Sequence, residues 1–318
     1  SMRGAPVAAI QALAERLKDC IPCAEKVFFL NGGSDANGLA VRVARAATGR
    51  KKVIKFEGGL QGWADTLSAS YAPPRSAAGE ASAPNLVPET QGIPPEVFVN
   101  TIPMTYNNLE ALTSRVEQEK GNIAAILLEP MVHSVNLMPK PGYLEGVREL
   151  CDAFGIALIF DEVVTGFRHG LGGAQGVLGV TPDLGTFSKS MSNGFVISAL
   201  CGKNEYMSMV GPEGPARMTL TFSGNALSTS AALKTTEILG RPGFYERLYK
   251  MGDTVRAELN KVIKDLGIRA RCDGFGSVWL LYFDLEAPEN YRDVLDYQES
   301  GGASKDAAYR TFMLNHGT

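Results

Sequence analysis

Histidine is scarce in this chain, with three residues in 318. A structural zinc site takes four Cys or His ligands, and the single C-x-x-C of Cys20 and Cys23 has no second pair to complete one. Two thiols near a helix end is therefore the expected reading of that pair, ahead of a metal or redox role. Five cysteines is an odd number, which argues against a disulfide framework and makes the cytoplasm the expected compartment. No apolar run is long enough for a bilayer-crossing helix. The net charge of −3 brings no basic excess, so neither nucleic acid nor membrane is expected as a partner. Ser1-Met2-Arg3-Gly4 has no signal-peptide pattern, and a serine ahead of the methionine is expected to be a remnant of cloning.

Short apolar runs alternate with amphipathic stretches. Val27–Leu30, Val53–Phe56, Phe98–Ile102, Ile123–Leu128, Ile156–Phe160, Asp183–Phe187 and Ser198–Cys201 each predict a buried strand. Helical patterns lie between several of them, at Ala36–Ala47, Leu109–Glu119 and Leu144–Phe154. This alternation predicts an α/β fold with a mostly parallel central sheet and helices on both faces. Ligands of such sheets sit beyond the carboxyl ends of the strands. Tyr71 to Pro95, rich in Pro, Ala, Ser and Gly, predicts a surface loop. Gly240-Arg-Pro-Gly243 marks a boundary, after which a charged helix (Phe244–Leu266) and a strand (Ser277–Phe283) open a smaller unit.

Three strand ends carry chemistry. Asn31-Gly32-Gly33-Ser34-Asp35-Ala36 leaves a strand and opens a helix, where bare N–H groups and the helix dipole favour a phosphate. The spacing is neither G-x-G-x-x-G nor a P-loop, since Leu39 stands where a P-loop has lysine. Taken alone, a plain turn capped by Ser34 or Asp35 fits the segment equally well. Asp161 ends the Ile156–Phe160 run, and Ser188-Lys189 follows the Asp183–Phe187 run. Either residue alone has an ordinary alternative: for the acid, helix capping or a metal carboxylate, the latter disfavoured by the lack of a nearby histidine, and for the lysine, a solvated loop. Together, a phosphate cradle, a carboxylate and an amine are what pyridoxal 5′-phosphate (PLP) requires. They anchor its phosphate, keep its ring nitrogen protonated and form a Schiff base with its aldehyde.

The wording of the chain resembles the class III (ornithine/acetylornithine-type) aminotransferases, most closely their glutamate-1-semialdehyde aminomutase-like branch. The similarity lies in Leu158-Ile-Phe-Asp-Glu-Val-Val-Thr-Gly-Phe-Arg168, Gly172-Gly-Ala-Gln-Gly176, Gly179-Val-Thr-Pro-Asp-Leu184, Ser188-Lys-Ser-Met-Ser-Asn-Gly194 and Thr221-Phe-Ser-Gly-Asn225. It implies the type I fold of PLP-dependent transferases, with residues 1–240 as the large PLP-binding domain. Residues 241–318 would start a small α+β domain, and the family's N-terminal segment and the remainder of the small domain are expected to lie outside these 318 residues. Carried over by position, Lys189 would bond the cofactor as catalytic lysine, and Gly33 and Ser34 would hold its phosphate. Asp161 would pair with its ring nitrogen, and Val163 would pack on one ring face. Thr221 would reach the cofactor of the neighbouring subunit of a homodimer. Glu129-Pro130 also matches the family, without an assigned role.

Several positions depart from the family pattern. Leu60 and Gln61 stand where an aromatic residue and a histidine are usual, so ring stacking gives way to apolar contact. His133 and Ser134 replace Gly and Asn, and Ser134 is a shorter partner for the cofactor's phenolic oxygen. Val196, Leu220 and Ala226 replace proline, glycine and proline. Three functions are weighed: a PLP-dependent aminotransferase acting on an amino donor and a carbonyl acceptor, an aminomutase or racemase on the same scaffold, and a PLP-binding protein with little catalysis. Arg168 is a candidate clamp for a substrate carboxylate, against a structural salt bridge.

Overall fold

The computed structural model describes residues 8–211, 214–285 and 287–317; the opening Ser1–Gly4 segment lies outside them. The chain starts with α1 (Ala8–Cys20), whose Leu13 and Leu17 are one turn apart and buried. Seven strands then build the central sheet: β1 (Lys26–Leu30), β2 (Lys52–Phe56), β5 (Thr101–Met104), β6 (Ile123–Leu128), β7 (Ala157–Glu162), β8 (Leu184–Phe187) and β9 (Ser198–Gly202). Their spatial order is β1-β9-β8-β7-β6-β2-β5. β9 alone runs against its neighbours β8 and β1, and the remaining pairs are parallel. Six of the seven expected runs fall on these strands. The Phe98–Ile102 run instead straddles a 3-10 turn over Pro95–Asn100 and the start of β5. Pro94 and Pro95 set the turn, and Phe98 is buried from it while its carbonyl accepts the Thr101 N–H.

Period-two alternation sorts the side chains to the two faces. Ile126, Leu128, Leu158 and Phe160 join one core with Leu112 and Val116 of α3 (Leu109–Gln118) and Val147 and Leu150 of α4 (Tyr143–Phe154). Ala125, Leu127, Ala157 and Ile159 join the other with Leu39, Ala40 and Val43 of α2 (Gly33–Thr48). A third cluster packs Leu13 and Leu17 of α1 against Phe29, Phe187 and Ala232 of α7 (Ala226–Leu239). Burying every side chain of β6 and β7 is what makes these runs continuously apolar. The Tyr71–Pro95 segment carries a two-residue ladder between β3 (Gly79–Glu80) and β4 (Ala83–Pro84) and an isolated bridge from Pro88 to Ala69, and ends where the 3-10 turn begins.

Short helix α5 (Gly173–Leu178) connects β7 to β8, and α6 (Asn204–Met207) follows β9 and precedes α7. Beyond Gly240–Gly243, α8 (Phe244–Asp265) packs on an antiparallel hairpin of β10 (Ala270–Phe275) and β11 (Val278–Phe283), followed by α9 (Tyr291–Tyr297) and α10 (Ala303–Asn315). The helix predicted at Phe244–Leu266 and the strand at Ser277–Phe283 each match to within one residue. α9 turns back onto the larger unit, where the buried Arg292 bonds Glu57 at the end of β2. Among the described residues, no helix is long and apolar enough to cross a membrane.

Candidate active site

Parallel strands end on the same edge. The segments after β1, β2, β6, β7 and β8 therefore meet there, and they carry residues 31–35, 57–63, 129–134, 161–163 and 188–189. Sheet register pairs Asp161 with Thr186, which puts Lys189 three residues beyond Asp161's neighbour on the adjacent strand.

Asp161 is buried, with both oxygens engaged. Its Oδ2 accepts the Asn37 side-chain amide at 2.7 Å and its Oδ1 the Val163 backbone N–H at 3.0 Å. Thr186 Oγ1 donates to Asn37 Oδ1 at 2.7 Å, which fixes the orientation of that amide. Burial pushes the Asp161 pKa up, while these donors and the charge of Lys189 pull it back. Sequence reasoning missed Asn37 and Thr186. The available signal was Asn37's place on the face of α2 that also carries Ala36, Ala40 and Val41, where a polar side chain needs a partner.

Lys189 follows β8 in a 3-10 turn, at φ 43°, a left-handed conformation that costs a lysine energy. Its side chain opens to solvent, so burial of an ammonium does not arise. The Lys189 charge nevertheless acts on Asp161, Glu129 and His133 alike, which brings all four to one end of the sheet. Glu129 holds the Leu60 N–H at 2.9 Å. Its pKa is raised by burial and, secondarily, by the charge of Asp161.

The helix opening differs in detail from the sequence expectation. Gly32 is the N-cap of α2, and Asp35 reaches back to the Gly32 N–H at 3.1 Å. Ser34 is free of capping, and its Oγ accepts the Trp63 N–H at 3.3 Å. Two glycines permit this closeness. A Cβ on Gly33 would lie 2.7 Å from Val163 Cγ2, and one on Gly62, at φ +88°, would overlap Ser34 Oγ. Gly33, Ser34 and Val163 thus sit together, joined to the Leu60–Trp63 loop.

That loop is clamped from below by Lys55, a third residue the sequence reading missed. Lys55 is buried in β2 and donates to the carbonyls of Gly59 (3.2 Å) and Ala69, and burial lowers its pKa to about 8. Leu60 is exposed, whereas Gln61 is wholly buried with neither amide atom hydrogen-bonded. Ser134 Oγ reaches the Gly58 carbonyl at 3.4 Å, the limit of a hydrogen bond. Thr221 lies at the surface ahead of α7, in a turn whose Ser223 hydroxyl bonds the Phe29 carbonyl of β1. Cys23 is packed beneath β8 and β9, and burial pushes its thiol up to about 12, far from a reactive thiolate.

The residues present suit PLP. A helix N-terminus with close glycines is a phosphate cradle, and a buried acid held by two N–H donors is a partner for a protonated ring nitrogen. The Gln61 amide of the adjoining loop is buried with both heavy atoms unpaired, which is costly without a further partner.

Fold and site together define a class III aminotransferase, and the chain belongs to that family: the class III aminotransferase model matches residues 1–296. A glutamate-1-semialdehyde 2,1-aminomutase of Desulfatibacillum aliphaticivorans is 38% identical over 92% of this chain and 67% of its own length. Among solved structures, an omega-transaminase from Sphaerobacter thermophilus superposes with a TM-score of 0.85 and 33% identity, over 91% of this chain and 66% of that one. A transaminase with PLP bound gives 0.79 and 26%, over 87% and 64%. The fold is thus the type I fold of PLP-dependent transaminases, and the chain spans about two thirds of the length of these relatives.

Proposed function

We propose that this chain is a PLP-dependent aminotransferase that moves an amino group between an amino acid or amine donor and a carbonyl acceptor. One observation carries the reading: Asp161 and Lys189 end adjacent parallel strands, and the charge of one acts on the other. When bound, PLP supplies a carbonyl for the donor nitrogen and a ring that draws electrons from the donor carbon. Asp161, oriented by Asn37 and the Val163 N–H, would face the ring nitrogen. Gly33, Ser34 and the N-terminus of α2 would hold the phosphate. Val163 and Leu60 would give apolar contact to the ring faces, with Gln61 and Ser134 as polar contacts at its edge. Lys189 would hold the cofactor through its amine. Released by the donor, Lys189 Nζ would take the proton from the donor's carbon and return it on the acceptor.

A homodimer belongs to this reading, with Thr221 reaching the cofactor of the neighbouring subunit. It is supported by exposed Phe195, Val196, Phe222 and Leu227, which with Asn31 line a cleft of about 450 Å³ beside the phosphate cradle. Residues 1–240 would form the PLP-binding domain and 241–318 part of the small one. Five free cysteines agree with a cytoplasmic protein.

The similarity to an aminomutase favours a second reading, intramolecular amino transfer on the same residues. The two are separated by products. Protein loaded with PLP should show a lysine-linked absorption band that is lost in Lys189→Ala. An amino donor should then bleach the band and leave a keto product. Interconversion of a glutamate-1-semialdehyde-like isomer without a keto product favours the aminomutase. A band that answers to no amine leaves a binding protein with little catalysis, and no band in the unmutated protein overturns the proposal.

A further inference from the structure

Lys55 and Glu129 are buried titratable residues to which the proposed chemistry gives no role. The pleat puts them on one face of the sheet. Val53, Leu127 and Ile159 all join the core under α2, and two residues beyond each stand Lys55, Glu129 and Asp161. Their strands β2, β6 and β7 are neighbours. Leu128 pairs with Phe160, so Glu129 leaves β6 beside Asp161. The segment that Glu129 opens is fixed at both ends. The Pro130 carbonyl accepts the Tyr106 hydroxyl at 2.9 Å, and farther along the His133 ring meets that of His169, Nε2 to Nε2, at 2.7 Å. His169 closes the turn around Arg168, in which the Phe167 and His169 carbonyls accept the hydroxyls of Tyr245 and Tyr249 of α8 at 3.0 and 2.8 Å.

Lys55 and Glu129 reach the same peptide group. Lys55 Nζ donates to the Gly59 carbonyl at 3.2 Å, and Glu129 Oε1 accepts the Leu60 N–H at 2.9 Å. That carbonyl and that N–H belong to the single peptide bond between Gly59 and Leu60. In a trans peptide they point in opposite directions, and the described residues contain no cis bond. The amine and the acid therefore grip the peptide from opposite sides. Gly58 and Gly59 lead into it, and glycine leaves a peptide free to flip. A flip would turn the N–H toward Lys55, whose ammonium has no lone pair, and would take the carbonyl away from its donor. Burial lowers the Lys55 pKa only to about 8, so the ammonium still prevails at neutral pH. Lys55 also donates to the Ala69 carbonyl, and the Gly58 N–H bonds the Ser70 carbonyl at 3.2 Å, so the loop is tied to the next stretch of chain as well. Past the gripped peptide, Gln61 turns inward, Gly62 packs on Ser34, and the Trp63 N–H reaches Ser34 Oγ at 3.3 Å.

We infer that Lys55 and Glu129 are positioning residues that lock the Gly59–Leu60 peptide in one orientation, so that the Leu60–Trp63 loop meets Ser34 already shaped for PLP. This rests on the aminotransferase reading above, in which Leu60 and Ser34 contact the cofactor. A loop held before PLP arrives adds no ordering cost to binding. When the hold is removed, the apparent Kd for PLP rises as the fraction of correctly shaped loop falls.

The test is limited digestion with chymotrypsin, which cuts after leucine and aromatic residues, on the PLP-free and the PLP-loaded protein. Leu60 and Trp63 are both exposed, and cleavage there tracks how often the loop opens. Lys55→Met and Glu129→Ala should each speed cleavage after Leu60 or Trp63 at least fivefold without PLP. Both should raise the Kd for PLP about three- to thirtyfold, in the same order as the cleavage rates, and PLP should restore their protection. Glu129→Gln keeps a carbonyl acceptor for the Leu60 N–H and should recover most of what Glu129→Ala loses in both measurements. Should Lys55→Met be cut throughout the chain at one pace, it has lost its fold, and the two Glu129 variants decide. Cleavage and PLP affinity unchanged in Lys55→Met and Glu129→Ala overturn the inference. So does a Glu129→Gln protein that is cut as fast as Glu129→Ala, or one that binds PLP normally yet loses turnover, which would assign Glu129 to the chemistry. If the unmutated protein binds no PLP, the aminotransferase reading falls, while digestion of the PLP-free variants still decides on the locked peptide.

Discussion

Asn37 holds Asp161 from a helix that precedes it by more than a hundred residues: its amide nitrogen lies 2.7 Å from Asp161 Oδ2, and Thr186 braces the opposite end of the same amide. The donated hydrogen bond favours the carboxylate form, offsetting part of the burial that opposes it. A hydrogen bond to a charged group is worth about 1.5–3 kcal/mol. Asn37→Leu should therefore loosen PLP by about 10- to 100-fold, since 1.4 kcal/mol is a factor of ten. Equilibrium dialysis against PLP measures this, and an unchanged affinity would separate Asp161 from the cofactor.

Gln61 leads to a prediction in which two measurements move in opposite directions. Its amide is buried with both heavy atoms unpaired, a state that costs about 1–3 kcal/mol. Gln61→Met keeps the volume and removes the polar atoms. Without PLP the variant should be more stable to urea by about 1 kcal/mol, and with PLP it should bind the cofactor more weakly. A loss of stability in the PLP-free state would show that Gln61 is satisfied in another way.

These two residues show how far a sequence can be read. Asp161 and Lys189 were legible because each stands at or just past the end of a short buried run, where an open α/β sheet places its ligands. Asn37 was not, because an asparagine within a helix looks like surface until the helix is laid on β7 and β8. Lys55 was hidden for the same reason: a lysine inside Val53–Phe56 reads as a break in the strand, and only the fold supplies the carbonyls of Gly59 and Ala69. The His133–His169 contact joins residues 36 apart in sequence, and no local pattern announces it. The misplaced start of β5 is a boundary effect, since Phe98 is as buried as a strand residue while its backbone turns.

The histidine contact also sets an acid limit. Burial holds the pKa of both rings below the ordinary value near 6.5, supported by Arg168 and Lys189 at His133 and by His133 and Arg168 at His169. Tyr249 contributes only its hydroxyl, and Phe275 no charge. The unfolded chain therefore binds protons that the folded chain refuses. The stability from this pair is complete above about pH 6.5 and is lost as pH falls from there toward the lowered folded values, by up to about 1.4 kcal/mol per pH unit per ring. Urea midpoints at pH 7.5 and pH 5.5 should differ for the unmutated protein, and the difference should shrink in His133→Gln. Equal slopes in the two proteins would mean that the ring of His133 titrates normally.

The ion pair between Glu57 and Arg292 offers the sharpest test of how α9 is joined to the sheet. Arg292 Nε donates to Glu57 Oε2 at 2.9 Å, with Nη2 at 2.9 Å from Oε1. Its remaining donors serve the carbonyls of Gly79 and Ala78, both at 2.8 Å, and Thr105 completes the carboxylate at 3.0 Å. Both charged side chains are withdrawn from water, so removing one leaves the other uncompensated. Arg292→Met should cost about 3–5 kcal/mol of stability. Adding Glu57→Gln should return part of that loss, because the stranded charge disappears with it. Glu57 directly precedes the Gly58–Gly62 loop, so Arg292→Met should also weaken PLP, whereas the double variant should bind it more nearly normally. Denaturation and dialysis on the two single variants and the double variant give the coupling directly. Strict additivity would show that the two groups act independently, and α9 would then be held by Tyr291, Val294 and Leu295 through packing alone.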